Sequence, residues 1–240
     1  MIRGFYTARS GLIAHQEHIN TIANNMANVN TNGFKPMKTA FKDLIYQNIN
    51  RPQAENPANV GHGVKINKND IMMLQGPLAP TGMPLDFALV EENAFFAVET
   101  AAGEIFYTRA GNFSLSNSDE TYFLINGNGD RVLDIDGAPI EIVFDEFGNF
   151  EISPELLGVF RFSNPFGLWS IEGKNFAETP ESGVPELIEN PQIKPGYLEN
   201  SAVEVANEMA KLIEASKAFS FSARMLQTTD EIEQTVNALR

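Results

Sequence analysis

Two histidines, His15 and His18, stand three residues apart with Glu17 beside them, a spacing that turns both rings to one face of a helix. Such a pair would begin a zinc site, but no third ligand is placed nearby in sequence. His15 reads instead as a polar member of an apolar seam. Asn126, Asn128 and Asp130 imitate the first half of an EF-hand loop, yet Arg131 stands where that loop requires glycine and Gly137 replaces its bidentate glutamate. That stretch reads as a turn. Asp134, Asp136, Asp145 and Glu146 offer carboxylate pairs, but a segment this acidic supplies pairs at glycosidase-like spacing by chance. No Gly-x-Ser-x-Gly elbow, Walker loop or dinucleotide fingerprint occurs. The 240 residues include no cysteine, which excludes disulfides, thiolate metal sites and cysteine nucleophiles. No catalytic residue, cofactor or metal is therefore expected, and the chain does not read as an enzyme.

The formal charge is −14, which repels phosphate backbones and argues against a nucleic-acid partner. The charge is uneven. Residues 1–46 carry Arg3, Arg9, Lys35, Lys38 and Lys42 against Glu17 and Asp43, whereas the stretch from Glu199 to Arg240 is net acidic. The two ends thus complement each other, and the middle carries the bulk of the negative charge. No apolar run is long enough to span a membrane. Arg3, Arg9, His15, Glu17 and His18 interrupt any signal-peptide core, so secretion by a cleaved signal is not expected.

The elements that must position these residues change character along the chain. Phe5, Ala8, Leu12, His15, Ile19, Ile22, Met26 and Val29 step by alternating threes and fours, a heptad seam that predicts a helix over about the first 30 residues. Asn30-Thr31-Asn32-Gly33 then suits a helix stop with a left-handed turn. At the other end Val205, Met209, Leu212, Phe219, Ala223 and Leu226 follow the same spacing, and Thr229, Ile232, Val236 and Leu239 continue a shifted stripe. Ser201 and Glu204 have the spacing of a capping box, so this helix is expected over 201–240.

Residues 47–63 are rich in Asn, Pro and Gly and read as a linker. From Val64 to Phe162 short apolar runs alternate with turns: 86–90, 94–99, 105–109, 121–125, 131–135, 140–144 and 157–162. Asn126-Gly127, Asp136-Gly137 and Gly148-Asn149 fall where hairpin turns would sit. This texture predicts an antiparallel barrel or sandwich, with the Pro- and Gly-rich residues 163–200 leaving β structure on the return path. The expected fold is α+β: residues 1–46 and 199–240 as terminal helices forming an antiparallel coiled coil, flanking an antiparallel β-rich middle over 64–198. Two paired helices alone leave apolar surface wet, so neighbouring chains would complete the burial. The bland alternative packs both helices on their own β-domain.

The stretch Ala23 to Lys35 (ANNMANVNTNGFK) resembles the N-terminal signature of the bacterial flagellar rod and hook axial proteins. Met1 to Leu12 (MIRGFYTARSGL) is similar to that family's opening. Phe95-Phe96 followed by Tyr107-Thr108-Arg109-Ala110-Gly111-Asn112-Phe113 resembles its middle motif. Gly196 to Val203 (GYLENSAV), followed by Glu208-Met209, resembles the start of its C-terminal helix. Four motifs in the right order make the likeness specific. At Glu91-Glu92-Asn93-Ala94 the sequence departs from the Gly-rich turn usual there. The chain length fits a rod subunit of the distal or proximal type.

The resemblance implies a structural subunit of the flagellar basal-body rod that polymerises helically through its terminal helices into a drive shaft carrying torque to the hook. It implies export by the flagellar type III apparatus without a cleaved signal, a place in the basal body outside the cytoplasmic membrane, and no insertion into that membrane. Its partners would be copies of itself, other rod and hook subunits, and the export apparatus. The expected subunit interface comprises Phe5, Leu12, Ile19, Ile22, Asn24, Asn25, Met26, Asn28, Val29, Asn30, Gly33 and Phe34 at the N-terminal end. At the C-terminal end it comprises Val205, Met209, Leu212, Phe219, Leu226, Val236 and Leu239. The Asn amides donate and accept at once, so they can fix register between chains where leucine would allow slippage. A rival reading is a secreted, acidic carbohydrate-binding or hydrolytic β-protein with helical struts.

Overall fold

The computed structural model of the chain describes residues 3–45, 47–49, 58–118, 121–142, 152–171 and 174–239. It is α+β, with long helices α1 (Arg3–Ala27) and α2 (Val205–Ala238) at the two ends and a β-rich middle. Two compact units divide it. One takes Met1–Ala27, Met37–Asp70 and Glu204–Arg240, and the other takes Asn28–Pro36 and Ile71–Val203.

In the first unit the heptad positions of α1 are all withdrawn from solvent to some degree, with Ala14, Thr21, Ile22 and Asn25 buried. Ser222 Oγ lies 3.4 Å from where a Cβ would stand on Gly11, and Asn25 meets Glu208, so α1 and α2 touch at two levels. The strands Met37–Asp43 and Val64–Ile71 pair into a small sheet. The sequence gives little notice of the first of these, because its pattern MKTAFKD buries only Thr39. Of the expected linker, Gln47–Ile49 and Ala58–Val60 pair antiparallel, and residues 50–57 lie outside the described residues.

Both helices are shorter than expected. The seam runs on to Val29, but α1 stops at Ala27 after 25 residues, roughly 37 Å. Asn28 and Thr31 close a turn there: the Thr31 amide donates to the Asn28 carbonyl at 3.1 Å, and Thr31 Oγ1 lies 3.2 Å from Asn28 Oδ1. Side-chain bonds of this kind compete with the helical ladder. Gly33 follows at φ +68°, and a Cβ there would sit 2.6 Å from the Arg109 carbonyl carbon. The expected capping box does not form. Residues Tyr197–Glu199 pair with Leu78–Pro80, the Asn200 amide donates to Pro77 O, and the Ala202 amide donates to Phe34 O. Those bonds hold Ser201 buried in extended chain, its Oγ accepting from the Val203 amide, so α2 starts only at Val205 with Glu204 as an N-cap whose side chain caps no backbone amide of the helix.

The second unit is built on a ten-stranded sheet in which every described pairing is antiparallel. Ala94–Glu99 is its centre, flanked by Ile105–Thr108, Arg131–Val132 and Val159–Arg161. Phe96 and Val98 enter one apolar cluster with Phe87, Phe113, Leu124 and Leu157, while Phe95 and Ala97 enter another with Tyr107, Phe162 and Phe176. A strand buried on both faces reads as a continuous apolar run, which is why AFFAV was legible. Edge-to-face ring pairs fix the second cluster, Phe95 on Phe176 at 5.5 Å and Tyr107 on Phe162 at 4.8 Å.

The turn at Asp136-Gly137 is as expected, with Gly137 at φ +79° and Asp134 Oδ1 accepting from the Asp136 and Ala138 amides. The one at Asn126 is wider than a two-residue hairpin. It spans to Asp130, Asn126 Oδ1 accepts from the amides of Asn128 and Asp130, and the left-handed residue is Gly129 rather than Gly127. The Gly148-Asn149 turn falls outside the described residues. Two expectations need correcting. The polar run Ser114–Ser118 is a strand, paired along its length with Thr121–Ile125. Residues 163–200 do not leave β structure: Trp169–Ile171, Asn175–Ala177, Glu186–Leu187, Ile193–Pro195 and Tyr197–Glu199 are all paired. Ladders of two or three residues are too short to impose a visible alternation.

Candidate functional site

Three charged side chains converge in the interior of the second unit. Lys35 follows the Gly33 turn, Arg109 directly follows the strand Ile105–Thr108, and Glu199 ends the strand Tyr197–Glu199. Their side chains are 3%, 1% and 1% exposed. Glu199 Oε1 accepts from Lys35 Nζ at 2.7 Å and from the Gly76 amide at 2.9 Å. Glu199 Oε2 accepts from Arg109 Nε at 2.9 Å, with Arg109 Nη2 2.7 Å away, so the guanidinium edge pairs with a single carboxylate oxygen. Two cations share one carboxylate, and backbone oxygens take the surplus positive charge. Arg109 Nη1 donates to the carbonyls of Glu91 and Ala94, both at 2.7 Å, and Lys35 Nζ donates to that of Leu74.

Local backbone shape makes this possible. Asn93 sits at φ +61°, the left-handed conformation that asparagine tolerates better than most residues, and so performs the turn for which glycine was expected. The turn brings the Glu91 and Ala94 carbonyls together over Arg109. Gly76 has no room for a side chain, since a Cβ would stand 2.0 Å from the Asn200 carbonyl oxygen. Burial pushes the Lys35 ammonium below its ordinary range; Glu199 opposes that shift and Arg109 adds to it. The cluster is closed to solvent, so its chemistry is cohesion between chain segments far apart in sequence.

A second polar junction lies in the first unit. Asn25 is 2% exposed and pairs with the Met37 backbone in both directions, Nδ2 donating to Met37 O at 2.8 Å and Oδ1 accepting from the Met37 amide at 2.9 Å. Its Nδ2 also reaches Glu208 Oε2 at 3.2 Å, and Glu208 Oε1 accepts from Lys211. One asparagine thus ties α1, the strand after it and α2. Nearby, His15 and His18 both lie against Phe41, with ring centroids at 5.8 and 5.3 Å. Burial lowers the pKa of His18, helped by the neighbouring His15 and Lys211 and opposed by Glu208 and Glu214. Among the described residues no group of three or more metal-ligating side chains occurs.

Three segments of the chain match known families. Residues 5–35 match the family described as Flagella basal body rod protein, 89–155 the Flagellar hook protein FlgE/F/G D1 domain, and 194–239 the Flagellar basal body rod FlgEFG protein C-terminal. The chain is 34% identical over 267 aligned positions to the flagellar basal-body rod protein FlgG of Borreliella burgdorferi, covering 100% of this chain and 99% of that one. It is 30% identical to FlgG of Bacillus subtilis over the whole of both chains. It is also 30% identical to the basal-body rod protein FlgF of Mesorhizobium japonicum, covering 98% and 96%. The chain belongs to the flagellar basal-body rod proteins.

This rod protein is a structural subunit and not an enzyme; it belongs to the flagellum and assembles with other axial flagellar subunits. The saccharide-binding or hydrolytic rival has no support from these relatives. No helix among its described residues is long and apolar enough to cross a membrane. Each matched segment contributes one member of the buried ion cluster: Lys35 from the first, Arg109 from the second, Glu199 from the third. All three residues stand within the motifs that carry the family resemblance, but nothing in those motifs joins them. The available signal was one charge amid apolar or small neighbours in each motif.

The residues expected at the subunit interface of the rod protein fall into three groups. Ile22, Asn25, Gly33 and Phe34 are buried within the chain. Phe5, Leu12, Ile19, Met26, Asn28, Val29, Leu212, Phe219 and Leu226 are half-buried, and Asn24, Asn30, Val205, Met209, Val236 and Leu239 are exposed. On α2 positions 208, 212, 215, 219, 222, 226 and 229 are all withdrawn from solvent and form a complete heptad seam, with Ala218, Ala223 and Glu233 withdrawn beside it. Outside it, Val205, Met209 and Ile213 form one exposed apolar stripe, and Phe221, Met225, Ile232, Val236 and Leu239 form another. By helical angle these two stripes flank the withdrawn seam on opposite sides.

Proposed function

We propose that this subunit polymerises helically through α1 and α2, which form an antiparallel coiled coil in the inner tube of the rod. Residues 1–46 and 199–240 supply that tube, 64–198 the outer β-rich domain, and 47–63 the connection between them. The observation that carries the reading is the pair of apolar stripes on α2: a helix with apolar flanks on both sides of an occupied seam is built to be surrounded by further helices. The opposed sense of the Gly11–Ser222 and Asn25–Glu208 contacts supports the antiparallel pairing. The interface proposed is the set from Phe5 to Phe34 and from Val205 to Leu239 given above, with Asn25, Gly33 and Phe34 acting through the shape they give the chain. A closely packed polymer of this kind transmits torque to the hook because packed helices do not slip.

Export proceeds through the flagellar type III apparatus without a cleaved signal, to a basal-body position outside the cytoplasmic membrane, with no insertion into that membrane and no nucleic-acid partner. Charge within α1 and the absence of a spanning helix among the described residues support this. The test is Leu12→Asp or Leu212→Asp in a motile strain. Each is expected to block incorporation into rods and abolish motility while the β-rich unit stays folded; normal rods from either variant would sink the reading.

A further inference from the structure

We propose that the last two turns of α2 in one subunit dock into a groove on a second copy, between its α1 and its Met37–Asp43/Val64–Ile71 strand pair. The proposal rests on the rod reading and names the surfaces that meet. The groove, about 250 Å³, is walled by Ile13 and Ala14 of α1 and by Leu44, Val64 and Ile66 across from them. Its walls are fixed in place: the Leu44 amide donates to Gly63 O at 2.9 Å, and Gly63, at φ +107°, packs so closely on α1 that a Cβ would overlap Ser10 Oγ. It is a preformed apolar slot, and Ile13 in its wall is 48% exposed.

The end of α2 supplies what the slot lacks. Ile232, Val236 and Leu239 are 53%, 53% and 87% exposed and follow one face at spacings of four and three. The constant register of Gly11 with Ser222 and Asn25 with Glu208 sets Arg3 level with about residue 230. Beyond that level no described residue of α1 stands beside α2. Charge agrees with the pairing. Asp230, Glu231 and Glu233 border the apolar face, and no basic residue occurs from Met225 to Leu239. Lys65 and Glu17 line the slot, and Arg9, Lys42 and Asp43 stand within two residues of its lining in sequence, so these five carry a net positive charge in a chain whose net charge is −14. Slot and helix end are different surfaces, so the contact is heterologous and propagates into an open polymer rather than closing as a dimer.

The absence of native cysteine makes the test direct. Ile13→Cys and Val236→Cys chains, each carrying one thiol at an exposed position, are mixed, polymerised and oxidised. Within one subunit Ile13 lies level with about residue 220, so position 236 is roughly 24 Å further along α2 and any 13–236 disulfide joins two chains. The expected result is a disulfide-linked dimer in the mixture, at least about tenfold above a background mixture of Val236→Cys with Trp169→Cys, and confirmed by peptide mass. Polymers that form normally but cross-link only at background overturn the docking and leave the rod reading standing. Chains that never polymerise overturn the rod reading and the docking with it.

Discussion

Replacing Glu199 by glutamine removes the carboxylate that Lys35 and Arg109 share in the interior of the β-rich unit. The isosteric amide keeps the volume and one acceptor, so the change is electrostatic. Breaking a buried ion pair by deleting one partner costs about 3–5 kcal/mol because the remaining charge is stranded. Here two cations are stranded at once, both almost fully buried, although the carbonyls of Leu74, Glu91 and Ala94 still face them. A loss of roughly 4 kcal/mol is expected, a large part of the ~5–15 kcal/mol that holds a domain. Lys35→Met is the informative contrast. It removes a cation that burial already disfavours and that repels Arg109, and it leaves the Arg109–Glu199 ion pair intact. Its cost is the unpaired Leu74 carbonyl and one lost partner of Glu199, about 1–3 kcal/mol. Urea unfolding followed through Trp169, the single tryptophan and a member of this unit, reads both variants. At a slope near 2 kcal/mol per molar, Glu199→Gln should lower the midpoint by about 2 M and Lys35→Met by about 0.5–1.5 M. Equal losses, or a larger loss for Lys35→Met, would refute the view that Glu199 is the keystone.

Two further outcomes follow from the first unit. Because burial lowers the His18 pKa in the folded chain, the stability it contributes is present above its unfolded value near 6.5 and is lost as the pH falls through the lower folded value. Protection factors of the Met37–Asp43 amides, which remove the base-catalysed intrinsic rate, should therefore fall on acidification from neutral pH, and His18→Gln should flatten that dependence; an unchanged slope in the variant would exclude His18 as the source. Asn25→Ala strips the Met37 amide and carbonyl of their partners and unpairs one oxygen of Glu208, so a loss of about 2–4 kcal/mol is expected, read as faster exchange of the same strand with the second unit unaffected.

The amino-acid sequence by itself determined the two terminal helices, because heptad spacing over 25 and 34 residues has no competing reading. It determined the central strand Ala94–Glu99, since apolar side chains on both faces leave an unbroken run, and the Asp136-Gly137 turn, since only a few residue types accept a left-handed backbone. It also carried the family resemblance, in motifs whose order along the chain matches the relatives. The helix ends were decided elsewhere. Ser201 has the residue type and spacing of a cap, but bonds from Pro77 and Phe34 hold the preceding chain extended and move the start of α2 to Val205. The strand Ser114–Ser118 exists because Thr121–Ile125 lies beside it, and a polar edge strand has no apolar alternation to announce it. The ion cluster was invisible for a related reason: Lys35 and Arg109 meet Glu199 across 164 and 90 residues of chain, and no local pattern encodes a contact between positions so far apart. Which side of α2 meets α1, and which apolar stripes are left facing outward, likewise depended on the packing of α1 and α2. A sequence period fixes that a helix has an apolar face; only the tertiary structure decides which part of that face its own chain has already covered.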